Sequence, residues 1–162
     1  MKKKVYNVVD ISRYIINYSN QKSYGVTNLK LQKLLYFVQA LFVISKKGVP
    51  CFEEKIFAWD FGAVVPVSYC EFKHHGNSNI PEIKSYLTFP NKNMWEFERV
   101  KYSDSFISRK DKKLINKVVD LMSEYSAIDL LNITLNQKPY KNAYKKGKGT
   151  EITLDALEEY FK

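Results

Sequence analysis

One stretch decides the fold: Thr27–Ile44, with the sequence TNLKLQKLLYFVQALFVI. Thr27 is suited to cap a helix, because its hydroxyl can accept a hydrogen bond from a free amide of the first turn. Beyond Gln32 and Lys33, apolar residues surround the predicted helix on every side instead of forming one stripe. This pattern is typical of a helix in the middle of a domain. The stretch therefore predicts a buried central helix.

The predicted central helix keeps a thin polar seam. At about 100° per residue, four polar side chains fall within one narrow wedge of the helix: Asn28, Gln32, Gln39 and Lys46. Lysines near its start also leave the apolar run too short to span a bilayer, so no membrane association is predicted.

Length and composition indicate one globular domain, which we predict to cover residues 1–162. The hydrophobic share of 45% and the charged share of 27% are those of a soluble protein. No N-terminal run has the pattern of a secretory signal, and two cysteines, Cys51 and Cys70, do not make a disulfide framework. We therefore expect a cytoplasmic protein with free, buried thiols.

The net charge of +9 is concentrated in two places. Lys2–Lys4 carries three of these charges, and residues 138–148, which we predict to form a glycine-punctuated loop, carry five. Arginine, the usual residue for bidentate base contacts, occurs only three times in the sequence. The clusters favour solvated lysines, with nucleic-acid binding weak or absent. A nucleic-acid-binding regulator that uses the lysine-rich loop 138–148 is the alternative function.

The rest of the chain predicts further helices and a small amount of strand. Ser108 and Ser126 are each followed three residues later by aspartate, as in a capping box. Residues 77–93 contain two prolines and are predicted to be mostly loop. Periodicity and breakers place the other helices at 5–18, 66–75, 108–122, 126–133 and 153–161, and strands at 54–61 and 95–102. The predicted class is α+β, predominantly helical, with a buried central helix and a small β-sheet or hairpin.

Few residue patterns indicate chemistry. Cys70 and His74 have the i, i+4 spacing of helical zinc ligands, but no CxxC or HxxxH pair supports them. Trp59 and Trp95 have rings that could stack on bases, but packing in the core is the simpler explanation and is what we predict for both. No GxSxG motif or phosphate-binding glycine loop occurs. We predict no metal, no cofactor and no enzymatic activity, and a hydrolase with an unrecognised site is the third possibility.

Several segments resemble the Panacea antitoxin domain, a family also called SocA-like or phage-associated. The first is residues 27–37, and the second runs from Ala58-Trp59 through Gly62 to Val64-Val65-Pro66 and Tyr69. Residues 111–119, 139–144 and 152–161 resemble the C-terminal half of that domain.

The chain departs from the family pattern in two places. The family usually has Gly-Pro-Val-Val-Pro where this chain has alanine at position 63. It also usually has Thr-His, an acid and then Pro-Trp, whereas residues 134–140 are TLNQKPY. A catalytic histidine at that motif is therefore unavailable in this chain.

The resemblance implies a small cytoplasmic antitoxin from a bacterial or phage toxin–antitoxin pair, whose partner is a cognate protein toxin neutralised by direct binding. Some SocA-like proteins resemble adaptors that deliver a toxin to an AAA+ protease, which is the second partner implied.

The same resemblance suggests a partner-binding surface, because the family pattern keeps polar residues near the start of the central helix. Trp59 and Tyr69 would supply aromatic anchors of the kind found in interface hot spots. The predicted partner-binding residues are Lys30, Gln32, Lys33, Trp59 and Tyr69. We expect Lys33 to contribute little to stability, and the alternative is that Gln32 and Trp59 only brace the core.

Overall fold

The computed structural model describes residues 3–162, so Lys2 of the N-terminal lysine cluster lies outside the described residues. The helices are α1 (Val8–Gln21), α2 (Asn28–Ser45), α3 (Pro66–Phe72), α4 (Arg109–Leu121), α5 (Ala127–Leu135), α6 (Lys138–Lys146) and α7 (Leu154–Phe161). The strands are β1 (Ile56–Trp59), β2 (Gly62–Val64), β3 (Ser85–Thr88), β4 (Glu98–Lys101) and β5 (Thr150–Ile152). The predominantly helical α+β class is confirmed. Within residues 3–162, no helix has the length and apolar character needed to cross a membrane.

The predicted central helix is α2. The Thr27 hydroxyl accepts a hydrogen bond from the Lys30 amide at 3.2 Å, as a helix cap should. Fourteen of the eighteen residues of α2 are buried, because α1, α3, α4, α5, α7 and β2 all pack against it. A helix enclosed on all sides has no face left for solvent, which explains why its sequence is apolar all round.

Side chains of the polar seam of α2 form hydrogen bonds with the backbone of neighbouring segments. Gln39 Oε1 accepts hydrogen bonds from the amides of Cys51 at 2.7 Å and Phe52 at 3.3 Å, and its Nε2 donates to the Phe52 carbonyl at 3.0 Å. At the end of the helix, Lys46 forms an ion pair with the buried carboxylate of Asp111. The seam therefore anchors the chain where it passes the helix without regular structure.

The strands form two small sheets. β1 lies in the middle of a three-stranded antiparallel sheet with the order β2-β1-β5, and β3 pairs with β4 in a separate antiparallel hairpin. Asp60 and Phe61 form the two-residue turn between β1 and β2, so the predicted strand 54–61 ends at Trp59. Gly62 follows the turn with φ of +90°, a conformation that glycine adopts without a steric penalty.

The structure corrects the secondary structure predicted for two segments. Residues 138–148 are mostly the helix α6 and not a loop. Pro139 lies in the first turn of α6, where its missing amide would have had no helical partner. Residues 85–88, within the segment predicted to be mostly loop, form β3 because β4 pairs with them across a long connection. The predicted strand 95–102 is regular only from Glu98.

Three predicted environments are also wrong. Trp95 is 82% exposed and therefore does not pack in the core. Cys70 is exposed on α3, whereas Cys51 is buried as expected. Asp111 does not complete a capping box with Ser108, since its side chain turns inward and accepts a hydrogen bond from the Tyr6 hydroxyl at 2.6 Å. The corresponding box between Ser126 and Asp129 is complete.

The burial of α2 predicts that a leucine-to-alanine substitution in this helix lowers stability far more than the same substitution at an exposed site. Leu34→Ala should lower the free energy of unfolding by about 2–5 kcal/mol, because Leu34 is 1% exposed and its removal leaves a cavity. Leu121→Ala, on α4 with a side chain 66% exposed, is the matched control and should cost about 0.5 kcal/mol or less. Urea denaturation of both variants measures the difference, and equal losses would contradict a core centred on α2.

Candidate functional site

The N-terminal half of α2 holds the segment that connects β2 to α3. Gln32 Oε1 accepts a hydrogen bond from the Val65 amide at 3.0 Å. The Nε2 atom of Gln32 donates to Asn28 Oδ1 at 3.0 Å and to Ser68 Oγ at 3.2 Å. Gln32 is 1% exposed, so without it the buried Val65 amide and Asn28 Oδ1 would lack a hydrogen-bond partner. This one amide therefore fixes the path of the chain from the sheet into α3.

A hydrogen-bond network continues from Gln32 in two directions. Asn28 Nδ2 donates to the carbonyl oxygen of Tyr69 at 3.0 Å, which ties α3 to the first turn of α2. Ser68 Oγ lies 2.8 Å from Ser12 Oγ on α1, and the Ser12 hydroxyl also contacts the Val8 carbonyl at 2.7 Å. Three helices thus meet at one buried polar cluster.

Lys33 lies beneath the turn between β1 and β2. Its side chain is fully buried, and Nζ donates a hydrogen bond to the Ala63 carbonyl at 2.9 Å. Burial lowers the pKa of Lys33 to about 7, because a low-dielectric environment disfavours the ammonium ion. A Cβ atom at Gly62 would lie 3.0 Å from Lys33 Nζ, so the absent side chain of Gly62 makes room for the lysine.

An open groove of about 270 Å³ lies on the outer side of this cluster. The Trp59 and Tyr69 rings form its aromatic wall and meet edge to face, with centroids 5.6 Å apart and planes at 76°. Phe61, at the tip of the β1–β2 turn, is 69% exposed. The lining residues are Asn28, Leu29, Gln32, Trp59, Phe61, Val64, Tyr69, Lys73, Gly76 and Asn77. We call this feature the aromatic groove.

The structure brings together three of the five predicted partner-binding residues. Gln32, Trp59 and Tyr69 line the aromatic groove. Lys33, the fourth, does not line the groove, because it is buried under Gly62. Lys30 is also buried, and it points to another part of the molecule, where Nζ donates to the Ser123 carbonyl at 3.3 Å.

Sequence reasoning missed the most exposed ring of the groove. Phe61 was assigned to a strand by its bulky neighbours, although Asp60-Phe61-Gly62 has the glycine that a tight turn requires. It also missed how α6 contacts this turn. The hydroxyls of Tyr140 and Tyr144 donate to the Trp59 carbonyl and to Asp60 Oδ1, each at 2.7 Å.

Cys70 and His74, the pair with the spacing of helical zinc ligands, lie outside the aromatic wall. Cys70 is exposed on α3, and His74 lies in the following 3₁₀ turn, where its ring is 4.0 Å from that of His75. Among residues 3–162, no three or more histidine, cysteine, aspartate or glutamate side chains are grouped as metal ligands would be.

Comparison with known proteins identifies the family. A family model described as antitoxin SocA-like, Panacea domain, matches residues 31–141, about two thirds of the chain. The chain belongs to the SocA-like Panacea antitoxin family. No curated protein and no solved structure matches the chain.

The matched residues contain most of the groove and of the helix that supports it, and the lining residues Asn28 and Leu29 precede the match. The match extends from the first turns of α2 through the β1–β2 hairpin and α3 to the start of α6. Outside the match, β5 pairs with β1 and α7 packs against α2. The Panacea domain is thus in contact with both of these later elements.

Replacing Gln32 should destabilise this Panacea domain. Gln32→Leu keeps similar bulk but leaves the buried Val65 amide without its acceptor, so the free energy of unfolding should fall by about 1–3 kcal/mol. Gln21→Leu, at the exposed end of α1, is the matched control and should stay within about 0.5 kcal/mol of wild type. Chemical denaturation measures both values. A Gln32→Leu protein as stable as the control would show that the hydrogen bond to Val65 is dispensable.

The buried lysine predicts a pH-dependent stability. Above pH 7, folded Lys33 loses its proton while the unfolded chain keeps one up to the ordinary value of 10.5. Stability should therefore rise with pH in this window, by up to about 1.4 kcal/mol per unit, relative to Lys33→Met. Below pH 7 the difference between the two proteins should be constant.

Denaturation at several pH values between 6 and 9.5 tests this prediction. Lys110→Met removes an exposed lysine from α4 and should leave the pH profile parallel to that of wild type. A Lys33→Met profile that is also parallel to wild type would show that Lys33 keeps its proton in the folded protein.

Proposed function

We propose that this Panacea domain is an antitoxin that neutralises a cognate protein toxin by direct binding, and that the aromatic groove holds the toxin. The observation that carries this proposal is the exposed ring of Phe61 beside the Trp59–Tyr69 wall. A phenylalanine that is 69% exposed at the tip of a tight turn contributes little to the stability of its own domain. Aromatic rings in such positions are the anchors that protein partners bury.

The floor of the groove supports the proposal because it is held rigidly. The side-chain amides of Gln32 and Asn28 form hydrogen bonds with each other and with Val65, Ser68 and Tyr69. A surface that is already ordered loses little conformational entropy when a partner binds, which favours affinity.

We further propose that the domain covers residues 1–162 and acts by binding in the cytoplasm, not by catalysis. Packing of α7 on α2 and pairing of β5 with β1 support one structural unit. The buried amides of Gln32 and Asn28 support binding, because their hydrogen-bonding capacity is already used within the domain.

The experiment is a growth-rescue assay with the product of a neighbouring reading frame that is toxic when expressed alone. Wild-type antitoxin should restore growth and should co-purify with the toxin. Phe61→Ser should abolish both, because it removes the exposed anchor while leaving the buried cluster intact. The matched control is Phe97→Ser, since Phe97 is 58% exposed and lies just before β4, away from the groove.

Two results would contradict the proposal. Failure of the wild-type protein to rescue growth or to capture the toxic product would argue against an antitoxin for that product. Rescue by folded Phe61→Ser but not by Phe97→Ser would place the toxin on the β3–β4 hairpin.

Toxin abundance in the rescued cells separates direct inhibition, which leaves the toxin level unchanged, from delivery to an AAA+ protease, which lowers it.

A further inference from the structure

The helix α6 is fixed beside the aromatic groove. The Tyr140 hydroxyl donates to the carbonyl of Trp59, and the Tyr144 hydroxyl donates to the carboxylate of Asp60. The two tyrosine rings stack, with centroids 5.4 Å apart and planes at 20°. Two consecutive residues of the groove-bearing hairpin are therefore bound by one face of α6, and Phe61 is the next residue along the turn.

The outer face of α6 carries uncompensated positive charge. Lys138, Lys141 and Lys145 are spaced at i, i+3 and i+7, which places them on one side of a helix. All three are exposed, and among residues 3–162 none of them forms an ion pair. We call these three residues the basic stripe.

The one acid of the adjoining turn does not offset the basic stripe. Asp60 is already paired with Lys148 at 2.8 Å and accepts the hydrogen bond from Tyr144. These two contacts hold the pKa of Asp60 below its ordinary value. Lys73 adds a further positive charge to the lining of the groove itself. The surroundings of Phe61 are thus apolar and basic together.

The helical geometry places one edge of the basic stripe beside the residues of α6 that hold the turn. Pro139, Tyr140 and Ala143 are buried on the inner face of the helix. Tyr144 points to Asp60, and Lys141 lies next to Tyr144 on the helix surface, at i−3. Through Lys141, the stripe therefore comes next to the residue that holds the turn carrying Phe61.

We propose that the aromatic groove and the basic stripe form one recognition surface for an acidic protein segment. In this arrangement an apolar side chain of the partner enters the groove against Phe61, and neighbouring carboxylates lie opposite the lysines. The proposal rests on the proposed function, because it names the chemistry of the toxin surface that the antitoxin binds. Charge complementarity would speed association and exclude basic partners.

A protein segment fits this surface better than a nucleic acid does. Trp59 and Tyr69 pack edge to face, so each ring uses part of its surface on the other instead of on a base. The positive charges are lysines, which attract phosphate but lack the planar fork that reads base edges. No arginine lies on α6 or lines the groove.

The test uses short synthetic peptides as probes, so it does not depend on identifying the toxin. A glutamate-rich peptide with one central tryptophan is titrated into isotope-labelled full-length protein and followed by amide NMR shifts. A peptide with lysines in place of the glutamates, and a single-stranded thymidine oligonucleotide, are the comparison probes.

The acidic peptide should shift the amides of Phe61, Tyr69 and Lys141, whereas the basic peptide should not. Lys141→Glu combined with Lys145→Glu should weaken binding about tenfold or more, and so should raising the salt from about 50 to about 300 mM. Phe61→Ser should weaken binding to a similar degree. The charge-matched control, Lys110→Glu with Lys113→Glu on α4, should change affinity less than about twofold. Lys141→Gln with Lys145→Gln is the second variant if the glutamates unfold α6.

The inference is overturned if the acidic peptide shifts no residue of the groove, or if the stripe and control variants lose affinity equally. Tighter binding of the oligonucleotide on the same residues would assign the surface to nucleic acid.

The growth assay separates the two proposals. If wild type rescues but Lys141→Glu with Lys145→Glu rescues equally well, the antitoxin function stands and the acidic partner surface is wrong. If wild type fails to rescue while the peptide binds as expected, the recognition surface stands and the antitoxin function is wrong.

Discussion

The hydrogen bond from the Val65 amide to Gln32 represents the constraint on which this fold depends. α2 is enclosed on all sides, so the irregular segments that cross it carry backbone groups into a dry interior. Each such group needs a partner, because an unpaired buried amide or carbonyl costs free energy. Gln32 accepts a hydrogen bond from the backbone just before α3, and Gln39 accepts hydrogen bonds from the amides of residues 51 and 52. Lys33 donates a hydrogen bond to the carbonyl of Ala63. The few polar residues of α2 thereby determine where the rest of the chain lies.

This arrangement gives the aromatic groove a floor fixed by buried hydrogen bonds and an outer side that is exposed. The polar groups at its floor are used within the domain, while Phe61 projects from a turn that α6 holds through Tyr140, Tyr144 and Asp60. We therefore expect the partner to bind the exposed surface of the groove, which the buried cluster holds in position, and not the cluster itself. The membership of the chain in the SocA-like Panacea antitoxin family agrees with a domain that works through a partner.

Sequence reasoning succeeded where local patterns decide the structure. The apolar character of α2, its cap at Thr27 and the complete capping box at Ser126 are local, and the structure confirms each of them. It failed at β3, which forms only because β4 pairs with it across a long connection. It also failed at α6, because Pro139 lies in the first turn, where a proline does not prevent a helix. For the site, Gln32, Trp59 and Tyr69 were predicted to share a surface, and they line one groove. The burial of Lys33 was not predicted, because a lysine is rarely fully buried and the absent side chain of Gly62 makes room for this one.

Hydrogen–deuterium exchange of the antitoxin with and without its toxin would locate the bound toxin. We propose that the toxin is held at the aromatic groove, whose position the polar residues of α2 determine. Binding should slow exchange at the amides of residues 60–61 and 73–77, which border the groove. It should leave the β3–β4 hairpin, residues 85–101, unchanged. Protection confined to that hairpin, with the groove exchanging as fast as in the free protein, would contradict the account.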